Sequence, residues 1–374
     1  MNVLIVASWF PTVTMPVAGI FIAEQARALA TQHEVTVLAP EVGGQRHLLR
    51  CVSEDSRGFR VVRVAIRPRR FIFHLAYAWS IVREIRAGQF DLVHAHVTLP
   101  AGFAAVVAGL FTGKPVVVTE HRSPFDAFMQ RPVDRFKVRF ALSRAAAVIP
   151  TNLGLELKMR RYGVRRPTHI VRNNIDTELF ACRPMRERRD GRFRLIFVGR
   201  LNDDQKNLPG LLRALAHLQR AQGERYLLKV IGGGELQPSF EKLATDLGIR
   251  NACEFVGTRD KREIARSLAE SDVFVLSSFH ENCPSVVAEA QAVGRPVVVT
   301  RCGGAEEMIT QETGRTVPVG DDLALAEAIV EVCSNLDAFQ PERIALHAKT
   351  SFGDEAIVRQ LTEIYDSVLR GQCS

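Results

Sequence analysis

The chain has 374 residues, of which 47% are apolar and 24% charged, and its formal net charge is +8. That length exceeds one ordinary core and fits two domains, and the composition is that of a soluble globular protein. The longest apolar run, 101–111, falls well short of the ~20 residues a membrane-spanning helix needs. The first residues lack the charged n-region of a signal peptide and read as a strand.

Charge is uneven: residues 1–180 carry a balance of +11 and the remainder −3. The first half therefore suits an anionic partner such as a membrane surface or a phosphorylated acceptor. No recognition motif accompanies the charge, which argues against nucleic acid. The seven cysteines are scattered without paired ligand spacing, as in a reduced, cytosolic protein with no cysteine metal site.

In chain order, a strand at 3–7 leads through Pro16-Val17-Ala18-Gly19 into a helix at 20–30, and a second strand follows at 33–38. A third strand at 59–66 lies in a basic run, Arg57, Arg60, Arg63, Arg67, Arg69 and Arg70, which continues into Phe71-Ile72-Phe73 and a helix at 74–87 holding Trp79. Basic residues beside aromatic ones suit an interfacial membrane contact, and equally a solvated face followed by a core helix. Strands at 92–94 and 115–119 flank a helix at 101–111, and the apolar run 145–149 ends at Pro150. His94-Ala95-His96 alternates along its strand, so both imidazoles point the same way; suitably spaced carboxylate or cysteine ligands to complete a metal site are not evident. His121, at the end of the 115–119 strand, suits a hydrogen bond to a sugar or an ordinary polar role near a helix start.

The pattern restarts after the polar, Arg-rich segment 182–192, with strands at 193–198, 226–231, 253–256, 273–276 and 296–299, each followed by a helical stretch. Strands alternating with helices imply βαβ units and parallel sheets. The expected architecture is two doubly wound domains joined near 175–192, with ligands beyond the C-terminal strand ends, in an interdomain cleft. The expected boundaries are 1–178 and 179–353, and the last helix, in 354–374, could pack on either domain, including back on the N-terminal one.

Several strand ends in the second half carry candidate chemistry. Gly199-Arg200 and Lys206 follow the first strand, and two cations there neutralise a diphosphate without a metal, Arg as a fork and Lys as a point charge. Gly232-Gly233-Gly234 ends the next strand and allows close backbone approach to a ligand, but Gln237 breaks the G-x-G-x-x-G dinucleotide pattern. Gly303-Gly304 marks another strand-to-helix turn suited to an anion.

The densest stretch is Glu281-Asn282-Cys283-Pro284-Ser285 through Glu289. Pro284 suits the first turn of a helix and Ser285 a first-turn or capping position, which places Glu281 in the loop and Glu289 in the first turns. Free N–H groups at such a helix start favour phosphate, and two carboxylate acceptors beside it suit a sugar nucleotide. The same residues also fit a loop glutamate and an exposed helix glutamate on an ordinary βα unit. No G-x-S-x-G, Walker A or H-E-x-x-H pattern is present.

Taken in order, these motifs resemble the retaining nucleotide-sugar glycosyltransferases of family 4, with the GT-B fold of two Rossmann-like domains facing across a cleft. The likeness covers nearly the whole chain and is most specific at E-x7-E, Glu281 and Glu289. Further matches are Val198-Gly199-Arg200-Leu201, Lys206, Gly232 to Gly234, Gly303-Gly304, Thr313-Gly314, Val171 to Asp176 and Ser8 to Gly19. Asn174 and Ala18 stand where the family commonly has glycine.

The resemblance implies that Arg200 and Lys206 bind the donor diphosphate, Glu289 the ribose, and Gly19 the phosphates through loop approach. Gly232, Gly234, Asn282, Cys283, Pro284 and Ser285 belong to the same donor site. Glu281 and His121 are the implied catalytic pair, Glu281 facing the developing charge of the transferred sugar. It implies no metal cofactor, and a nucleotide-diphosphate sugar as co-substrate. The expected acceptor is lipid-linked, phosphorylated or a saccharide, in cell-surface glycan or glycolipid synthesis, with the enzyme cytoplasmic or peripheral at the inner membrane face. Alternatives are transfer to a soluble secondary metabolite, a non-catalytic sugar-nucleotide-binding subunit, or a GT-B epimerase.

Overall fold

The structure, a computed structural model, describes residues 1–15, 17–41, 58–65, 73–188, 190–202 and 204–371, with 51–56 described by backbone alone. It divides into two compact units, Met1–Asn174 with Asp354–Ser374, and Ile175–Gly353.

The first unit is built on seven strands: β1 (Asn2–Ala7), β2 (Glu34–Glu41), β3 (Cys51–Ser56), β4 (Phe59–Ala65), β5 (Leu92–His96), β6 (Val116–Glu120) and β7 (Ala147–Pro150). They lie in the order β3-β4-β2-β1-β5-β6-β7, parallel except for β3. Its helices are α1 (Ile20–Leu29), α2 (Phe73–Ala87), α3 (Phe103–Thr112), α4 (Pro132–Arg144) and α5 (Leu153–Arg161), together with the last helix of the chain, Asp354–Leu369.

Covered on both faces, the central strands are predominantly apolar, and their alternation divides them between two cores. Leu4 and Val6 of β1 point into the core with α2 and α3, whereas Val3, Ile5 and Ala7 point into the core with α1 and the last helix. That last helix is fixed by Ile357, Leu361, Ile364 and Tyr365 in the core, by Arg27 to Asp354 at 2.6 Å and by His33 to Thr362 at 2.8 Å.

The second unit repeats the plan with six parallel strands: β8 (Phe193–Val198), β9 (Tyr226–Ile231), β10 (Cys253–Gly257), β11 (Val273–Leu276), β12 (Val297–Thr300) and β13 (Gly314–Val317). Their order is β10-β9-β8-β11-β12-β13. Helices α6 (Leu208–Gln222), α7 (Gln237–Asp246), α8 (Lys261–Ala269), α9 (Ser285–Ala292), α10 (Asp322–Ser334) and α11 (Pro341–Phe352) cover them, and the last helix of the chain is therefore α12. No helix among the described residues is long and apolar enough to cross a membrane.

Some elements differ from the expectation. The β3 strand, the helices α4 and α5, and β13 give no apolar run and were not anticipated. Pro150 is the last residue of β7 rather than its stop, which an edge strand tolerates because a missing N–H breaks no ladder. In the basic run, Arg60 pairs with Glu84 at 3.0 Å, and Arg63 donates to the Pro11 carbonyl at 3.0 Å. Those two cations are engaged within the fold, while Arg57, Arg67, Arg69, Arg70, Phe71 and Ile72 lie outside the described residues.

One buried cation ties the start of the second unit to its sheet. Arg295 is fully buried and donates to the carbonyls of Arg183 at 3.0 Å, Pro184 at 2.8 Å and Ala269 at 2.7 Å. Burial lowers its pKa, opposed by Asp272. Arg295→Met orphans those carbonyls, and urea unfolding should show a loss of about 3 kcal/mol.

Candidate active site

Among the parallel strands of each sheet the order reverses once, between β1 and β5 and between β8 and β11. At such a reversal adjacent loops leave toward opposite faces and open a crevice beyond the strand ends. In the second unit the flanking loops are 199–207 and 277–284, and they are stitched together. Phe279 N donates to the Gln205 carbonyl at 2.8 Å and Gln205 Nε2 to the His280 carbonyl at 2.7 Å. Ser277 Oγ lies 3.0 and 2.9 Å from the carbonyls of Lys206 and Asn207.

This framework brings Lys206 Nζ to 2.5 Å from Glu281 Oε1, which also accepts from Ser278 Oγ at 2.7 Å. Glu281 is 8% exposed, and its backbone N–H donates to the Cys302 carbonyl at 3.1 Å. The buried carboxylate bears on its neighbour: the Cys302 thiol is pushed up to about 11, first by burial and then by Glu281. Arg200, by contrast, is exposed and forms no ion pair among the described residues.

Pro284 precedes α9 with extended backbone, one position earlier than expected, and Ser285 opens the helix with no side-chain cap on it. The N–H groups of Ser285 and Val286 precede the first bond of α9, from Val287 N to the Pro284 carbonyl at 3.0 Å, and stand ready for an anion. Asn282 and Cys283 are half-buried in the preceding loop. Glu289 is buried one turn into α9, with Lys261 Nζ 3.6 Å away. Lys261 opens α8 and was missed in the sequence, because only the tertiary fold brings it to Glu289.

Gly232 has φ +141°, and a Cβ there would collide with the Gly199 carbonyl; one at Gly234 would strike the Leu201 backbone. The close approach these glycines permit is thus to the 199–201 loop, with Leu201 N donating to the Gly233 carbonyl at 3.0 Å. The Gly303 N–H is taken by the Glu306 carboxylate, at 3.1 and 3.0 Å. A cavity of about 570 Å³ lined by Arg194, Leu228 and Cys253 lies at the opposite strand ends, away from these groups.

In the first unit, Gly19 caps α1 with φ +67°, packed so closely on the Trp9 carbonyl that a Cβ would not fit. The Gly19 contact fixes the loop after β1. His121 follows β6, with Nε2 3.0 Å from His96 Nδ1 and its ring 4.4 Å from that of Phe21. His94 lies beneath, with Nδ1 2.6 Å from Tyr365 Oη and Nε2 2.7 Å from Thr119 Oγ1, so both its nitrogens are occupied within the protein. Glu120 is fully buried and accepts from the N–H groups of Thr98, His121 and Arg122, anchoring the turn that carries His121. Among the described residues no group of three or more His, Cys, Asp or Glu is arranged to hold a metal ion.

Burial pushes His94 and His121 down to about 3, aided at His94 by His121 and opposed at His121 by a hydrogen bond with Asn173. His96 is held well below 6.5 by burial and by both neighbours. His121 is therefore a neutral imidazole at physiological pH.

Residues 18–179 match the sequence model described as Glycosyltransferase Family 4, and residues 183–345 match Glycosyl transferases group 1. EpsF of Bacillus subtilis (strain 168), described as a putative glycosyltransferase, is 30% identical over 270 residues, 67% of each chain. The chain belongs to glycosyltransferase family 4.

The glycogen synthase of Mycobacterium tuberculosis is 27% identical to this glycosyltransferase over 403 aligned residues, 100% of this chain and 96% of its own. Anabaena HepE, solved in complex with UDP, superposes with a TM-score of 0.78 at 19% identity, covering 98% of this chain and all of that one. At that identity the likeness attests the fold alone, and the fold is GT-B.

The buried imidazoles also make a thermodynamic prediction. His94 and His121 stay neutral in the folded protein down to about pH 3, whereas unfolded histidine titrates near 6.5. Protons therefore favour the unfolded chain between those values, so this contribution is intact above pH 6.5 and is lost as the pH falls toward 3. Each imidazole contributes a slope of about 1.4 kcal/mol per pH unit in that window. Urea unfolding at pH 7, 6 and 5 should show it, and His94→Asn should flatten it by about one proton.

Proposed function

We propose that this glycosyltransferase moves a hexose-type sugar from a nucleotide-diphosphate sugar to an acceptor hydroxyl with retention of configuration. The observation that carries this reading is the Lys206–Glu281 pair, held at the strand-order reversal beside the start of α9. That arrangement supplies cations and N–H donors for a diphosphate and a carboxylate for a sugar. The UDP in HepE supports the same donor class.

Breaking the anomeric C–O bond leaves negative charge on the diphosphate and positive charge on the sugar ring. Arg200, Lys206 and the first N–H groups of α9 stabilise the diphosphate, and these groups require no metal ion for that role. Glu281 faces the ring and supports its charge, while Glu289 accepts from the ribose hydroxyls. The acceptor oxygen bonds to the anomeric carbon from the face the diphosphate leaves, and its proton passes to the departing phosphate oxygen. His121, neutral and fixed by His96, offers a hydrogen bond to the sugar.

The product belongs to a cell-surface glycan or glycolipid, and the enzyme works in the cytoplasm or at the inner face of the membrane. The positive balance of residues 1–180 supports an anionic surface or acceptor as its partner.

Glu281→Gln should lower turnover at least about 100-fold while changing the affinity for the donor less than about tenfold. Calorimetry and product assays separate the two quantities, and the anomeric proton coupling of the product reports retention. Unchanged turnover would remove Glu281 from the mechanism, and an inverted product would remove retention.

A further inference from the structure

The loops after β5 and β6, with the starts of α2 and α4, line a second cavity of about 560 Å³. Phe73, Leu99 and Phe128 give it apolar walls, while His74, Arg122 and Arg131 give it donors and positive charge. Arg122 directly follows His121 in the chain, and its guanidinium lies 4.5 Å from the Phe128 ring centroid. Arg131 is exposed, and its guanidinium makes no hydrogen bond or ion pair among the described residues. Lys137, six residues further along on α4, is near enough to oppose protonation of His74, whose pKa is lowered first by burial and then by that ammonium. Asp134 is the carboxylate among the lining residues and acts on His74 in the opposite sense. Cations therefore outnumber anions around the opening.

Beyond it, the same two helices hold large apolar side chains in water. On α2 these are Leu75 and Trp79, one turn apart; on α4 they are Val133 and Phe136, 58% and 65% exposed. Basic residues flank them: α4 carries Arg135, Lys137, Arg139 and Arg144 against Asp134 alone. Apolar side chains among cations are the pattern of a surface that meets an amphiphile with an anionic head.

We propose that this cavity binds the acceptor, a lipid-linked phosphate amphiphile, with its phosphate on Arg122 and Arg131 and its hydrocarbon chain leaving over Trp79 and Phe136. The proposal rests on the transferase reading above, which needs an acceptor hydroxyl near His121. A phosphate held at Arg122 places the adjoining part of the head one residue along the chain from that histidine. The apolar walls and the exposed side chains beyond them distinguish this ligand from a free phosphate.

Calorimetry with three probes below their micellar concentrations tests it: decyl phosphate, decyl glucoside and inorganic phosphate. Decyl phosphate should bind at least about tenfold more tightly than either of the others, and Arg131→Glu should remove that advantage. Phe136→Ser should weaken decyl phosphate without affecting a nucleotide sugar. Equal affinity for decyl glucoside would overturn the phosphate site, and equal affinity for inorganic phosphate would overturn the lipid. Nucleotide-sugar affinity, measured on the same samples, separates the two readings. Its absence overturns the donor assignment, whereas its presence without selective decyl phosphate binding overturns the acceptor assignment alone.

Discussion

Parallel strands can be joined only by crossovers, so the loops after all of them emerge along one edge of the sheet. Where the strand order reverses, the two flanking loops part, and the edge becomes a crevice lined by residues distant in sequence. In the second unit that reversal brings Lys206 to Glu281, 75 residues away. One backbone bond and three side-chain-to-backbone bonds between the 205–207 and 277–280 segments, together with the glycines that pack against 199–201, hold the two loops in register. The ion pair follows from topology, and the proposed chemistry follows from the ion pair.

The two units solve opposite electrostatic problems. Around Lys206, charge is retained in a partly buried place by pairing it, since removing one partner leaves the other costly to bury. In the proposed reaction a diphosphate arriving there competes with Glu281 for the ammonium, and donor binding frees the carboxylate to face the sugar. Around His121, charge is excluded: three adjoining imidazoles are neutral because burial costs more than their hydrogen bonds return. In its proposed role, a neutral imidazole offers a sugar direction without repelling the positive charge that develops on the ring.

Much of this was legible because doubly covered parallel strands must be apolar along their whole length. The runs 193–198, 226–231 and 273–276 coincide with β8, β9 and β11, and the helix expected within 354–374 is α12. Edge elements escaped for the converse reason. β3, with the sequence CVSEDS, is a polar edge strand, and α4 buries only Val138, Ala141 and Leu142. Glu281 and Glu289 were visible as a spaced pair, but Lys261 and the direct Lys206–Glu281 bond were not, because no local spacing encodes a contact across a reversal. The His94-Ala95-His96 alternation showed that two imidazoles share a face, while their partners Tyr365, Thr119 and His121 come from other elements.

The shared ammonium is the central claim, and affinity for a nucleoside diphosphate lacking the sugar tests it most directly. If Lys206 serves both the carboxylate and the diphosphate, Lys206→Met weakens that affinity about tenfold or more, whereas Glu281→Gln strengthens it several-fold by freeing the ammonium. A loss in Glu281→Gln as large as that in Lys206→Met would contradict the competition, and unchanged affinity in Lys206→Met would remove the diphosphate from this site.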